Sequence, residues 1–169
     1  VFIFMFLFML LFILLEQEFV RANVCYCVSC TNCTATVNTV GCREVIIEKD
    51  INTTSTCITF ELNNRILDCG LHTLKGVFIA EKGIKIKNKK NITIKNCVIK
   101  GFDYGIFIDG SEKITISENE IENNEIGIQV YNSTYTNLTN NTLKQNWKGI
   151  YMWYSKYNNL VNNNVGGWS

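Results

Sequence analysis

The residues best equipped for chemistry are eight cysteines: Cys25, Cys27, Cys30, Cys33, Cys42, Cys57, Cys69 and Cys97. The cluster Cys25-x-Cys27-x-x-Cys30-x-x-Cys33 has spacings that could ligate zinc or an iron–sulfur cluster. The competing reading is a knot of disulfides, favoured by an even cysteine count behind an apolar leader. Cys25, Cys27, Cys30, Cys33, Cys42, Cys57 and Cys69 are the disulfide candidates, with Cys57 and Cys69 able to bridge the first two turns. The possible connectivities are too many for a pattern to be assigned.

Carboxylates are sparse. Asp103 and Glu125 stand one repeat apart, which would set them about 5 Å from each other across stacked strands. Such a pair could suit a calcium ion or a retaining glycosidase. The next repeat puts Trp147 there, and Arg43 and Arg65 lie far upstream. No catalytic residue, metal or cofactor is therefore assigned. Aromatic residues offer a different chemistry. Phe107, Tyr131, Trp147, Tyr151 and Trp153 recur at positions that would share one outer face. Flat rings suit the C–H faces of sugars, and an exposed patch of them marks an interaction site. The alternative is that these rings pack beneath further sequence or a neighbouring domain.

The elements that must position these groups are set by a repeat of 22 residues. Ile94, Ile116, Leu138 and Leu160 form one column, and Ile99, Ile121, Leu143 and Val165 a second. Gly105, Gly127 and Gly149 form a third, each followed by isoleucine. Apolar and polar residues alternate in Ile114-Thr115-Ile116 and Ile128-Gln129-Val130, which is strand periodicity. Two strands per repeat are read, separated by Asn- and Gly-rich corners. A strand cannot bury its apolar side alone, so the repeats must stack into a parallel solenoid. A leucine-rich repeat fits less well, because Ser111, Ser133 and Ser155 occupy a position where that architecture needs leucine. Asn119, Asn141 and Asn163 would stack at one corner as an internal amide ladder, headed by Cys97, and Lys100, Glu122 and Lys144 as a charge-balanced edge.

The stretch Asn91-Ile-Thr-Ile-Lys-Asn96 followed by Gly105-Ile-Phe-Ile108 resembles the right-handed β-helix repeats of the NosD-like and pectin-lyase-like families. The lead-in Ile66-Leu-Asp-Cys-Gly-Leu-His-Thr-Leu-Lys-Gly76 is similar to the segment that often precedes such repeats. The resemblance covers about residues 45 to 165 and implies an all-β, right-handed parallel β-helix in an envelope or surface setting. It implies no single activity, because lyases, hydrolases and adhesins share these repeats. Copper handling, which the NosD label implies, is not expected: His72 is the only histidine, and Met152, the only methionine beyond the leader, should point inward.

The expected organisation is a signal peptide over residues 1–22, a cysteine-rich N-terminal cap over 23–44, and a solenoid over 45–169. The leader is wholly apolar from Val1 to Leu15, short for a bilayer span, so membrane attachment is expected only if it stays uncleaved. The sequence stops at Ser169 in mid-coil, and further domains of a longer chain are expected beyond it. Six Asn-x-Ser/Thr sequons agree with export. A net charge of +1 without a basic block excludes nucleic acid and anionic membranes as evident partners. The chain is read as a secreted or cell-surface module, with polysaccharide or cell-wall glycan as its expected partner. A structural stalk or adhesin segment is the alternative. A polysaccharide lyase or glycoside hydrolase with its active site in further sequence is the third reading.

Overall fold

The computed structural model describes residues 23–78 and 80–167. Alternation dictates its architecture. In the coil that begins at Glu112, Ile114 and Ile116 point inward from strand Glu112–Ser117, Ile121 from Glu120–Glu122, and Ile128 and Val130 from Ile126–Tyr131, all fully buried. Each coil thus carries three strands rather than the two expected. The additional strand spans three residues with one inward side chain, too few for alternation to register in the sequence.

Stacking the coils produces three parallel sheets of seven, six and five strands. Sheet I includes Arg65–Asp68, Lys90–Lys95, Glu112–Ser117 and Asn137–Thr139. Sheet II includes Thr73–Gly76, Val98–Lys100 and Glu120–Glu122, and sheet III includes Ile58–Phe60, Lys82–Lys87, Tyr104–Asp109, Ile126–Tyr131 and Lys148–Trp153. The register Ile94↔Ile116↔Leu138↔Leu160 reproduces the repeat column residue for residue. Earlier coils carry corner insertions, so Leu67 pairs with Ile94 and Ile58 with Ile84. The exposed Phe78 stands on one such insertion.

The corners explain the abundance of asparagine. Left-handed backbone recurs in columns: Asn88, Gly110, Asn132 and Tyr154; Asn96, Glu118, Asn140 and Asn162; Asn64, Asn91, Lys113, Tyr135 and Tyr157. Each turn sends its N–H to the next coil, as Asn96 does to Ser117 O (3.4 Å) and Asn140 to Val161 O (3.0 Å). Asparagine adopts this conformation at low cost, whereas proline cannot adopt it and has no N–H to give. The 22 asparagines and the absence of proline follow. Glycine is needed for a different reason in the column Gly105–Gly127. A Cβ on Gly105 would stand 2.6 Å from Gly127 O and 3.0 Å from the Ile121 side chain.

Other asparagines point inward and tie the coils together. Asn119 Nδ2 donates to Ile94 O (3.2 Å) and to Asn141 Oδ1 (2.9 Å), while Asn141 Nδ2 donates to Ile116 O (2.8 Å) and Asn163 Oδ1 (2.9 Å). Cys97 heads this ladder, its N–H donating to Asn119 Oδ1 (2.9 Å). A second ladder, unforeseen from the sequence, runs from Phe102 N–H through Asn124 to Asn146. The serine column is a third: Ser111 N–H donates to Ser133 Oγ (3.0 Å), and Ser133 N–H to Ser155 Oγ (3.2 Å).

The cysteine-rich lead closes the N-terminal end. Strand Val24–Cys27 extends sheet I, and helix α1 (Cys30–Val37) lies over the open coil with Cys33 and Val37 buried. Thr34 and Asn38 are four residues apart on α1 and its C-cap, so they face the same edge. Thr34 Oγ1 donates to Cys57 O (3.0 Å) and accepts Thr59 N–H (3.2 Å). Asn38 Nδ2 donates to Thr59 O (2.8 Å), and its Oδ1 accepts Glu61 N–H (2.7 Å). Two side chains thereby replace the missing strand beside Ile58–Phe60 and leave no open sheet edge there. Arg65 Nε donates to Val37 O (2.9 Å) at the end of α1. Lys95 joins three coils of sheet I, at 3.0 Å from Glu44 and 3.2 Å from Asp68. Burial opposes ionisation of Asp68, but the Gly70 N–H, the Asn96 amide and the Lys95 ammonium outweigh it and hold its carboxyl below the usual value.

All eight cysteines are paired, as Cys25–Cys42, Cys27–Cys33, Cys30–Cys57 and Cys69–Cys97. Cys57 and Cys69, both able to bridge the first turns, do so with other partners and not with each other. Cys57 is taken by the cap helix, and Cys69 by Cys97, which was read as the head of the Asn column and is also a disulfide partner. The residues read as a signal peptide, 1–22, lie outside the described residues. Among the described residues no helix is long and apolar enough to cross a membrane.

Asn141→Ala tests the ladder. It would strand the backbone N–H of buried Asn119 and one of its two Nδ2 hydrogens, the other keeping Ile94 O, at about 1–3 kcal/mol for each unsatisfied group. Urea denaturation should show a loss of at least about 2 kcal/mol on that scale. A loss below about 0.5 kcal/mol would mean the amides find other partners.

Candidate functional site

Inward alternation in sheet III forces a complementary outward set. Three columns cover its outer face: Lys82–Tyr104–Ile126–Lys148, Lys85–Phe107–Gln129–Tyr151, and Lys87–Asp109–Tyr131–Trp153. Aromatic rings therefore accumulate toward the last coils. Trp153 (52 % exposed) stacks on Tyr154 (67 % exposed) at 5.2 Å and 14° between planes. Tyr154 meets Tyr131 edge-on at 5.9 Å, and Tyr151 meets Trp153 at 6.4 Å. The Lys148 ammonium lies 4.7 Å from the ring centroid of Trp147 (63 % exposed) and 4.5 Å from that of Tyr151. Cation–π contacts of this kind hold the rings while leaving much of their surface open.

The five aromatic residues singled out from the sequence thus divide into two groups. Tyr151 and Trp153 are in direct ring contact, Tyr131 joins them through Tyr154, and Trp147 joins through Lys148. Phe107 is separate. It packs edge-on against Tyr104 at 5.3 Å under the Lys82 ammonium, two coils away from Tyr151 in register. Between the groups lie Gln129 and Ile126, the latter only 7 % exposed although it stands on the outer face.

Sequence reasoning missed Tyr154, Tyr135 and Tyr157. Tyr135 and Tyr157 stack at 5.1 Å and 16° on the corner between sheets III and I. All three tyrosines have left-handed backbone, with φ of 52°, 56° and 58°. Upstream coils fill the same columns with Asn88, Gly110 and Asn132, or with Asn64, Asn91 and Lys113. A bulky side chain in this conformation costs roughly 1–2 kcal/mol. Lys113, Glu118 and Gln145 adopt the same backbone at corner positions, so what distinguishes the three tyrosines from these is that exposed rings occupy such positions. The signal was available in the sequence, as aromatics standing in turn columns.

The weak metal pair is placed on adjacent coils, where Ile126 N–H donates to Asp103 O (2.8 Å) and Glu125 N–H to Phe102 O (3.0 Å). Among the described residues no three His, Cys, Asp or Glu side chains gather as a metal site. The zinc or iron–sulfur reading of the N-terminal cysteines is overturned by their pairing in disulfides.

Parallel 22-residue coils, three sheets and stacked interior amides define a right-handed parallel β-helix. The family profile for periplasmic copper-binding protein (NosD) matches residues 37–167, and the chain belongs to the NosD family. No match was found among curated proteins or among solved structures. Four disulfides and a periplasmic family point to an extracytoplasmic setting. Among the described residues the donor set does not fit the copper of the family's name. Soft thiolate and thioether sulfur or imidazole nitrogen would be needed. The cysteines are oxidised, Met152 is packed against the core, and His72 stands alone with its Nδ1 3.5 Å from Asp50.

Tyr154→Asn separates strain from packing. The relieved backbone should offset the lost ring contacts, so stability should change by no more than about 1 kcal/mol. A larger loss in thermal or urea unfolding would assign Tyr154 to the fold rather than to a binding face.

Proposed function

We propose that this chain is a secreted or surface-displayed β-helix that binds carbohydrate, without cleaving it, through Tyr131, Trp147, Tyr151, Trp153 and the adjoining Tyr154. One observation carries the reading. A cluster of exposed and half-buried rings is held at several orientations on the last strand of sheet III and its flanking turns, partly on backbone that favours other residues. Such rings present flat apolar faces with polar edges, the complement of a pyranose. Preorganisation by the solenoid keeps the entropy cost of binding low. The extracytoplasmic setting is where such a ligand is met. Phe107, in its own group with Tyr104, would serve as a secondary contact.

Glycan-array binding by the disulfide-bonded chain, beside Tyr151→Ala/Trp153→Ala, tests the proposal. Selective binding by the parent and roughly five- to 150-fold weaker binding by a folded variant are expected, from about 0.5–1.5 kcal/mol for each of the two ring contacts. Equal binding by both would remove the aromatic face from the account. No binding by a well-folded parent would favour a structural stalk.

A further inference from the structure

The corner between sheets III and I carries a second property, invisible in the linear sequence. Its left-handed column Asn64, Asn91, Lys113, Tyr135 and Tyr157 runs along the solenoid for four coil steps, roughly 19 Å at about 4.8 Å per step. At the cap end, Asn23, Gly41, Arg43, Asn64, Arg65 and Asn91 line a cleft of about 350 Å³. Arg43 and Arg65 are neighbours on successive coils, since Ile66 N–H donates to Arg43 O (2.9 Å).

Like charges stacked on adjacent strands repel unless something neutralises them. Elsewhere the ladders are balanced, as Lys87 meets Asp109 at 2.9 Å and Lys100 meets Glu122 at 3.1 Å; on this corner Glu112 meets Lys90 at 2.8 Å and Lys113 at 3.8 Å. Among the described residues no carboxylate pairs with Arg43, Arg65, Lys89 or Lys156. Glu44, beside Arg43 in sequence, is drawn instead to Lys95. The Arg65 donors are spent on the carbonyls of Val37, Asn63, Asn64 and Thr39, so it contributes field rather than a contact. Arg43 is exposed, and among the described residues no carboxylate pairs with its guanidinium. Lys113, which shares the single Glu112 carboxylate with Lys90 and so leaves this stretch net positive, and Lys156 continue the basic line to the stacked Tyr135 and Tyr157, the latter three residues beyond Tyr154 in the last coil.

We infer that this corner is a track for an anionic glycan, whose charge comes from carboxylate or from sulfate or phosphate esters. Sugar rings lie on Tyr157, Tyr135 and the Trp153–Tyr154 stack, and acid groups face Lys156, Lys113 and Arg43. The inference rests on the carbohydrate-binding reading and names the class of glycan. A single-stranded nucleic acid shares the stacking and the charge, but the extracytoplasmic setting favours the glycan.

The test titrates the disulfide-bonded chain with a polyuronate, a sulfated glucan, a neutral glucan and single-stranded DNA, at low and near-physiological salt. Each ligand is repeated with Arg43→Gln/Lys113→Asn/Lys156→Gln, with melting curves as the folding control. Asparagine is chosen at Lys113 because it tolerates that backbone. Expected are binding of at least one acidic glycan at least about tenfold tighter than the neutral one, weakening with salt, and loss of that preference in the variant. The stronger of the two acidic glycans identifies the charged group. Neutral and acidic glycans bound equally, with no effect of the variant, would overturn the track and leave the aromatic reading standing. DNA bound as tightly as the acidic glycans, indifferent to Tyr151→Ala/Trp153→Ala, would reduce the corner to a generic polyanion surface and also overturn it. Binding of none of the four would overturn both readings.

Discussion

The structure depends on the hydrogen bonds that each coil makes with the coil stacked on it. Within the sheets these bonds join strands; at the corners they join left-handed turns; inside, they are made by amide side chains. The interior Asn119–Asn141–Asn163 and Asn124–Asn146 ladders are the demanding case, because a buried amide without partners is costly. One slipped residue would strand all of them at once, while also turning each apolar face outward. Register is therefore fixed throughout, and with it the position of every outward side chain. Tyr151 lies beyond Gln129, and Trp153 beyond Tyr131, because Ile150 and Met152 must lie beyond Ile128 and Val130.

A repeating unit of this kind has ends, and the N-terminal one is closed by substitution rather than by repetition. Thr34 and Asn38 offer the hydrogen-bonding groups that another strand would have supplied. Arg65 receives the end of α1, and Cys30–Cys57 fastens the helix to the first coil. Cys69–Cys97 does the same between the coils above the Asn ladder. A disulfide closing a loop of that separation, 28 residues, contributes about 3.6 kcal/mol by restricting the unfolded chain. The cap also creates the charge asymmetry of the corner, since it brings Arg43 beside Arg65 while Lys95 takes the nearby carboxylates.

What the sequence disclosed was whatever repeats at a fixed interval. The apolar columns, the Asn119 ladder and the outer aromatic columns all lie in coils of constant length, and the register bears them out. The three-residue strand Glu120–Glu122 was concealed by its brevity, although its column Ile99–Ile121–Leu143 was evident. Helix α1 carries no repeat and only a weak apolar stripe, so Thr34 and Asn38 gave no warning of their role. Disulfide partners are chosen by proximity across insertions, which spacing does not encode. Tyr154 was overlooked because its place is defined by backbone conformation, and Phe107 was grouped with distant rings because a column does not tell which members touch. The basic corner joins residues from five coils, each alone unremarkable in charge.

Membership of the NosD family and the absence of a fitting copper donor set among the described residues are compatible: the family match spans the β-helix scaffold, and the proposed ligand face belongs to the side chains that the scaffold displays. The central claim is that the last coils of sheet III form the ligand face. Its most direct test is side-chain NMR during titration with an oligosaccharide selected by the array. The indole N–H signals of Trp147 and Trp153 should shift together and saturate, while the interior Asn119 and Asn141 amides stay fixed. Unmoved indoles, with shifts confined to sheets I and II, would contradict the account.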